Sequence, residues 1–271
     1  MTSENHFDFG AFYNEYGEFL KILNCGRNLH APLILEGQPE DDGIEPGDRM
    51  TDFLIKRTPV SAGQSVLDLG CGLGQPALRL ARTTGCSVIG INVSRNQVEE
   101  ANQLAQAEGM TDRLQFQYGD ARELNFPDDT FDAVWIFSVM EHIPEPLTVM
   151  REVYRVLRSG GRFLMANIVR KNPLSEEETL FLKANMPVSL YSLTEYAELL
   201  EKAGFRVEEK VDFKGTTATW IQRDKEQIRK NHDLIVEKYS SEFVEEWHRM
   251  LDGMEAIFQE KLSYGLCVAE S

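Results

Sequence analysis

The chain has 271 residues, which suits one large domain, or one domain with an elaborated lid. It is 42% hydrophobic and 27% charged, and no apolar run reaches the roughly 20 residues that a membrane-spanning helix needs, so we expect no membrane insertion. The formal net charge of -16 disfavours nucleic acid as a partner, because a phosphate backbone requires a basic surface.

The amino-terminal segment and the cysteines predict a cytoplasmic protein. The stretch MTSENHFDFG has neither the basic nor the apolar region of a secretory signal. No two cysteines have CxxC or metal-ligand spacing, so we expect reduced thiols and no metal site; they are Cys25, Cys71, Cys86 and Cys267. The sequence leaves homo-oligomerisation open.

Between about Ser65 and Val169, short apolar runs alternate with helical patterns. The runs are rich in Val, Ile, Leu and Phe, and most are too short for helices. The predicted strands are SVLDL (65–69), SVIGI (87–91), LQFQY (114–118), DAVWIF (132–137) and RFLMANIV (162–169). The helix signals are Pro76, a capping box at Ser94–Gln97, and a run from Pro146 to Leu157 ended by Ser159-Gly160-Gly161. This alternation predicts a parallel sheet covered on both faces.

The pattern changes after the fifth predicted strand. Ser192–Glu195 is a second capping box, FRVEEKVDF (205–213) alternates like a strand, residues 217–261 read as helix throughout, and SYGLCVAE (263–270) reads as a strand. The fold class is therefore α/β: a Rossmann-like, seven-stranded, mostly parallel sheet with helices on both faces. Its core is 61–216 and 262–271, with a helical lid at 1–60 and a helical cap insert at 217–261.

The stretch VLDLGCGLG places three glycines directly behind the first strand. A strand, a glycine turn and a helix bring backbone N–H groups close to a ligand, although the same turn also occurs for purely structural reasons. The spacing fits neither the dinucleotide fingerprint nor a P-loop. Asp68, two residues before the first glycine, favours a cationic ligand.

Other polar residues stand where neighbouring strands end. Asn92 ends the second strand, Asp120 follows the third, and 137–142 follows the fourth. Because ligands of open parallel sheets bind outside the carboxyl ends of the strands, we expect these residues to line one crevice.

These motifs resemble those of class I S-adenosylmethionine (SAM)-dependent methyltransferases. The matching pieces are VLDLGCGLG, Asn92, GDARELNFPDDTFDAVWIFSVMEHI and REVYRVLRSGGRFLMANIV, across roughly 60–170. The resemblance implies SAM as cofactor and S-adenosylhomocysteine as product. It also implies that the cofactor is bound by Asp68, Gly70, Gly72, Gly74, Asn92, Gln97, Asp120, Ala121 and Phe137. Gln97 has an alternative role in the capping box.

The branch that the chain most resembles contains natural-product and sugar O-methyltransferases, which implies a small-molecule substrate. By that resemblance His142 is the candidate base, with Glu141 beside it as a second candidate, and Asn167 stands where the branch has an aspartate. His30, Asn167, Tyr191 and Trp220 are expected to contact the acceptor. We predict O-methylation of a small, largely apolar metabolite. The alternatives are C-methylation of an olefinic or prenyl acceptor, and cyclisation without methyl transfer.

Overall fold

The computed structural model describes residues 7–24, 29–33, 45–186 and 188–271. Its helices are α1 Phe9–Leu23, α2 Pro46–Ile55, α3 Gln75–Thr84, α4 Arg95–Ala107, α5 Pro146–Val156, α6 Glu176–Asn185, α7 Leu193–Ala203, α8 Thr216–Lys230, α9 His232–Lys238 and α10 Ser241–Glu260. Its strands are β1 Ser65–Leu69, β2 Ser87–Asn92, β3 Leu114–Tyr118, β4 Phe131–Phe137, β5 Leu157–Arg170, β6 Arg206–Phe213 and β7 Leu262–Glu270. A short 3-10 turn, Met140–His142, follows β4.

The seven strands form one sheet in the order β3-β2-β1-β4-β5-β7-β6. The pairs from β3 to β5 are parallel, and β7 runs antiparallel to both β5 and β6. The predicted fold class is confirmed, including the helical insert: α8, α9 and α10 lie between β6 and β7. Within the described residues, no helix is long and apolar enough to cross a membrane.

Alternate residues of each central strand enter two separate cores. Val66 and Trp135 pack on the face covered by α3, α4 and the insert, whereas Leu67 and Val134 pack on the face covered by α5 and α7. A strand buried on both faces reads as a continuous apolar run, which explains the pattern of β1 and β4.

Strand β1 lies between β2 and β4, so the strand order reverses at its carboxyl end. At that point the turn after β1 is fixed to the neighbouring strand, because the carbonyl oxygen of Ile91 accepts hydrogen bonds from the N–H groups of Gly70 and Cys71 at 2.8 and 3.2 Å. Such a switch point opens a crevice beside the sheet.

Three local predictions are wrong. Ser159-Gly160-Gly161 does not end a helix; β5 already begins at Leu157, and the glycines form an irregularity within it, with φ +77° at Gly160. The insert is not one helix, because Asn231 ends α8 by donating to the carbonyl of Gln227 and the Ser240 hydroxyl caps α10. Only half of the first capping box forms, since the Gln97 side chain bonds Asn92 instead of the Ser94 backbone.

Candidate active site

A cavity of about 2630 Å³ opens at the carboxyl ends of β1, β2 and β4. The core strands form its floor, while α1, α6, α8 and α10 contribute its walls. Single-ligand pockets usually enclose about 300–1,000 Å³. The cavity therefore has room for a cofactor and a second sizeable molecule.

Glycine is required at different positions after β1 for different steric reasons. A side chain at Gly70 would overlap Val139 of the β4 loop. Gly72 has φ +52°, and its missing Cβ would meet only Leu29 Cδ1, at 3.6 Å, among the described residues. Because Gly72 lines the cavity, its bare backbone leaves space for a ligand rather than for protein packing.

Asp68 presents a buried carboxylate at this turn. Its Oδ2 has no hydrogen-bond partner in the described part of the chain, and burial raises the pKa of the carboxyl to about 7. An unpaired buried carboxylate is costly. A cationic group in the cavity would therefore be stabilised there.

At the end of β2, Asn92 holds Gln97 in place. Its Nδ2 donates to Gln97 Oε1 at 2.8 Å, and its Oδ1 accepts from the Ser94 N–H at 3.0 Å. Both side chains line the cavity, and Gln97 Nε2 is buried without a partner in the described residues. Gln97 is thus the free donor of the pair, and Asn92 orients it.

Asp120, after β3, lies at the edge of the cavity with Ala121. Arg122 donates to both of its carboxylate oxygens and lowers the pKa of the carboxyl. Asp120 consequently remains ionised and can accept a further hydrogen bond. Phe137, at the end of β4, adds a buried aromatic ring to the lining.

The loop after β4 is held in one conformation by two polar residues. Ser138 has the left-handed φ of +53°, and its hydroxyl lies 2.9 Å from that of Tyr264. Asn167 Oδ1 accepts from the N–H groups of Val139 and Met140 at 3.1 and 2.9 Å. Strained backbone of this kind clusters at functional sites. Here the fixed loop determines where the side chains of the two residues after Met140 lie.

Those side chains are Glu141 and His142, and both line the cavity. Burial lowers the pKa of His142 to about 4, so its imidazole is neutral at neutral pH. Burial raises the pKa of Glu141 to about 8, and its Oε2 has no hydrogen-bond partner among the described residues. The pair offers a neutral proton acceptor and a carboxyl that is largely protonated.

Helix α1 covers these groups. The Tyr13 hydroxyl lies 3.2 Å from His142 Nε2, and the centroid of the Phe9 ring lies 4.1 Å from that of the imidazole. Asn14 Oδ1 accepts from the Ser94 hydroxyl at 2.7 Å, which fixes α1 to the turn that begins α4. The lid therefore contacts both the β2 end and the β4 end of the crevice.

His30 lines the cavity but has both ring nitrogens engaged. Nδ1 lies 3.0 Å from the carbonyl oxygen of Ala31, and Nε2 lies 3.0 Å from Thr51 Oγ1. Burial lowers its pKa. His30 thus acts as a neutral wall residue that ties the lid segment to α2.

Residues 67–165 match the family model described as a methyltransferase domain. The methyltransferase GfsG of Streptomyces halstedii is 41% identical over 207 residues, which cover 75% of this chain and 74% of that protein. The (+)-O-methylkolavelool synthase of Herpetosiphon aurantiacus is 32% identical over 263 residues, covering 97% of this chain and 93% of its own length. The chain belongs to the SAM-dependent methyltransferase family.

Among solved structures, the [4+2]-cyclase SpnF superposes on this methyltransferase with a TM-score of 0.85 and 27% identity. The match covers 97% of this chain and 95% of SpnF. The likeness thus extends beyond the core strands to the lid and insert.

The described residues fit the cofactor. The open backbone at Gly72, the unpartnered Asp68 Oδ2 and the free Gln97 Nε2 provide a close approach, an acceptor for an ammonium and a donor for a ribose hydroxyl. Asp120 and Ala121 also line the cavity, and the methyltransferase resemblance implies that they contact the adenine. We therefore propose that SAM binds at this end of the cavity.

Three residues named from the sequence do not line the cavity. Asn167 is buried behind it and holds the β4 loop. Gly74 lets α3 pack, because a Cβ there would lie 2.8 Å from the Phe116 ring. Tyr191 lines a separate shallow depression with Leu199 and packs on Tyr196. Trp220 does line the cavity, as expected.

The sequence did not indicate the contacts between lid and core. Tyr13 belongs to an aromatic run that signals only an apolar helix face, and its partner His142 is 129 residues away. Asn14 carries no motif at all. Contacts between segments so far apart in the chain become visible only in the folded structure.

Proposed function

We propose that this methyltransferase methylates a hydroxyl group of a small, largely apolar natural product. The observation that carries the proposal is the neutral imidazole of His142 in the cavity lining: its Nδ1 is buried without a hydrogen-bond partner among the described residues, while its Nε2 lies 3.2 Å from the Tyr13 hydroxyl. An alcohol needs help in losing its proton, and histidine is the usual base.

The lining of the cavity supports an apolar acceptor. Beyond the cofactor end, large apolar side chains dominate the walls: Leu20, Leu23, Ile168, Leu174, Trp220, Trp247, Met250 and Met254. The relatives agree with this chemistry, since one is named an O-methylkolavelool synthase and another a 27-O-demethylrifamycin SV methyltransferase. An apolar pocket with few polar groups orients its ligand through those polar groups.

Bound SAM would supply a methyl group that is already activated as a sulfonium. The chain's own residues must align the acceptor, exclude water and remove one proton. We propose that the acceptor hydroxyl donates to His142 Nδ1, which then receives the proton, while the Tyr13 hydroxyl at Nε2 orients the ring. Helix α1, fixed at Asn14, covers the cavity and keeps water away.

One observation favours a second candidate, cyclisation without methyl transfer. The likeness to a [4+2]-cyclase covers nearly the whole chain. In that case the apolar cavity would fold a polyene, and His142 would have no proton to accept.

Labelled transfer separates these candidates. The purified protein is incubated with methyl-labelled SAM and a panel of hydroxylated polyketides and terpene alcohols, and both S-adenosylhomocysteine and the product are analysed. The proposal predicts equal amounts of S-adenosylhomocysteine and of a product with label on oxygen. Label on carbon, or a converted product without S-adenosylhomocysteine, would contradict it.

A further inference from the structure

Asp224 lies on the inward face of α8. Its neighbours at helical spacing, Thr217, Ile221 and Ile228, are all buried. Residues at these intervals share one face of a helix. Asp224 is therefore the carboxylate of an otherwise uncharged stripe, and it lines the large cavity.

Its carboxylate has no partner in the described part of the chain, whereas its charged neighbours do. Lys225 pairs with Asp252 and Glu255, and Arg223 lies 3.7 Å from Glu45. Burial raises the pKa of Asp224 to about 7, against a smaller opposing effect of Arg223. A partly buried carboxylate without a partner gains from a donor that enters the cavity.

Large apolar side chains of α8 and α10 line the cavity together with Asp224, Glu246 and Arg249. Trp220 precedes it by one turn, and α10, which packs against α8, contributes Trp247 and Met250 to the same cavity. An unpaired polar group among large apolar side chains contributes to the orientation and selectivity of a ligand, because an analogue without the matching group leaves it unpaired.

We propose that Asp224 binds a second hydrogen-bond donor of the acceptor, a hydroxyl or an amine, while the reacting hydroxyl lies at His142. This inference rests on the proposed function. The two polar points belong to different parts of the fold, since His142 follows β4 and Asp224 lies in the insert. The substrate class is thereby narrowed to apolar molecules that carry at least two donors.

Matched alkyl probes test the inference. A series of α,ω-alkanediols, the 1-alkanols of the same lengths and the corresponding ω-amino alcohols are titrated by calorimetry into the protein saturated with S-adenosylhomocysteine. Wild type is expected to bind a diol or amino alcohol at least about tenfold more tightly than the alkanol of that length. Equal binding of the three probe types at every length, including no binding at all, overturns the inference.

Variants identify the group and the donor. Asp224→Ala is expected to abolish the advantage, and Glu226→Gln, which neutralises a carboxylate paired with Lys230 on the same helix, is expected to keep it. Asp224→Asn distinguishes the donors, because an amide oxygen still accepts from a hydroxyl but does not attract an ammonium. An advantage that survives in Asp224→Ala overturns the proposal.

A negative result of this binding experiment is distinguishable from a failure of the proposed function. It measures binding to a complex that cannot transfer a methyl group. Absence of the diol advantage in wild type would therefore count against Asp224 alone, whereas absence of labelled O-methyl product counts against methyl transfer to oxygen.

Discussion

The hydroxyl of Tyr13 and Nε2 of His142 lie 3.2 Å apart, although the two residues are separated by 129 positions in the chain. Tyr13 belongs to the lid helix α1, and His142 ends the turn after β4. One hydrogen bond therefore joins the closed lid to the proposed base. Alignment of the imidazole and closure of the cavity are coupled through it.

Tyr13→Phe removes that hydrogen bond and keeps the ring. We expect kcat to fall about tenfold, because the imidazole loses the partner that orients it, while the Kd of S-adenosylhomocysteine stays unchanged. Tyr16→Phe is the matched control, since Tyr16 belongs to the same helix and its ring stacks on Phe243 of α10. Equal kcat values for the two variants would contradict the role of Tyr13.

We expect Asp68 to make cofactor binding depend on pH. With a pKa of about 7, its carboxyl is mostly protonated near pH 6 in the free protein. An ammonium bound beside it favours the ionised form, so affinity should rise with pH up to about 7 and then level off. Calorimetry near pH 6 in buffers of different ionisation enthalpy should show the release of nearly one proton with S-adenosylhomocysteine.

Asp68→Asn should remove this proton release and weaken S-adenosylhomocysteine binding at least about tenfold, because the ammonium loses its charged partner. Identical proton release by the variant and the wild type would show that another group titrates.

Gly72→Ala tests the assignment of the open backbone. Alanine at φ +52° costs about 1 kcal/mol of stability, and its methyl group enters the space assigned to the cofactor. Gly63→Ala carries similar strain at φ +88° without a neighbour within 4 Å among the described residues. Urea unfolding should show similar losses for both, whereas only Gly72→Ala should lose affinity for S-adenosylhomocysteine. Equal affinities would argue against the assignment.

Two glycines of α1 test how the lid packs. A Cβ at Gly10 would lie 2.7 Å from the carbonyl oxygen of Val93, so Gly10→Ala should lower the free energy of unfolding by about 1–3 kcal/mol. Gly17 has no such neighbour among the described residues, so Gly17→Ala should raise it by up to about 1 kcal/mol through helix propensity. Chemical unfolding of both variants checks the prediction, and effects of the same sign would contradict it.

The core could be predicted from the sequence because its signals are local. The apolar run of β1, the glycines behind it and the polar residue that ends β2 each report on their own segment, and the sheet brings them together. Gln97 shows the limit of such signals: Ser94 and Gln97 read as a complete capping box, but the tertiary position of Asn92 redirects the glutamine side chain. Asn167 and Tyr191 were misplaced for the same reason, since strand ends and aromatic side chains do not reveal which way they face.

The lid and the acceptor end depend on contacts between distant segments. Asn14 contacts Ser94 only because α1 packs over the sheet. Asp224 lines the cavity only because α8 does the same. The spacing of residues along the chain does not predict either of these positions.

Single-turnover methyl transfer by His142→Gln, with the acceptor identified by labelling, tests the central claim most directly. Glutamine keeps a polar side chain but takes up no proton at neutral pH. We predict a rate about 10²–10⁴-fold lower than that of wild type, with unchanged affinity for S-adenosylhomocysteine. His232→Gln, at an exposed position on α9, should keep the full rate. A His142→Gln rate within about threefold of wild type would contradict the role of this imidazole as the base.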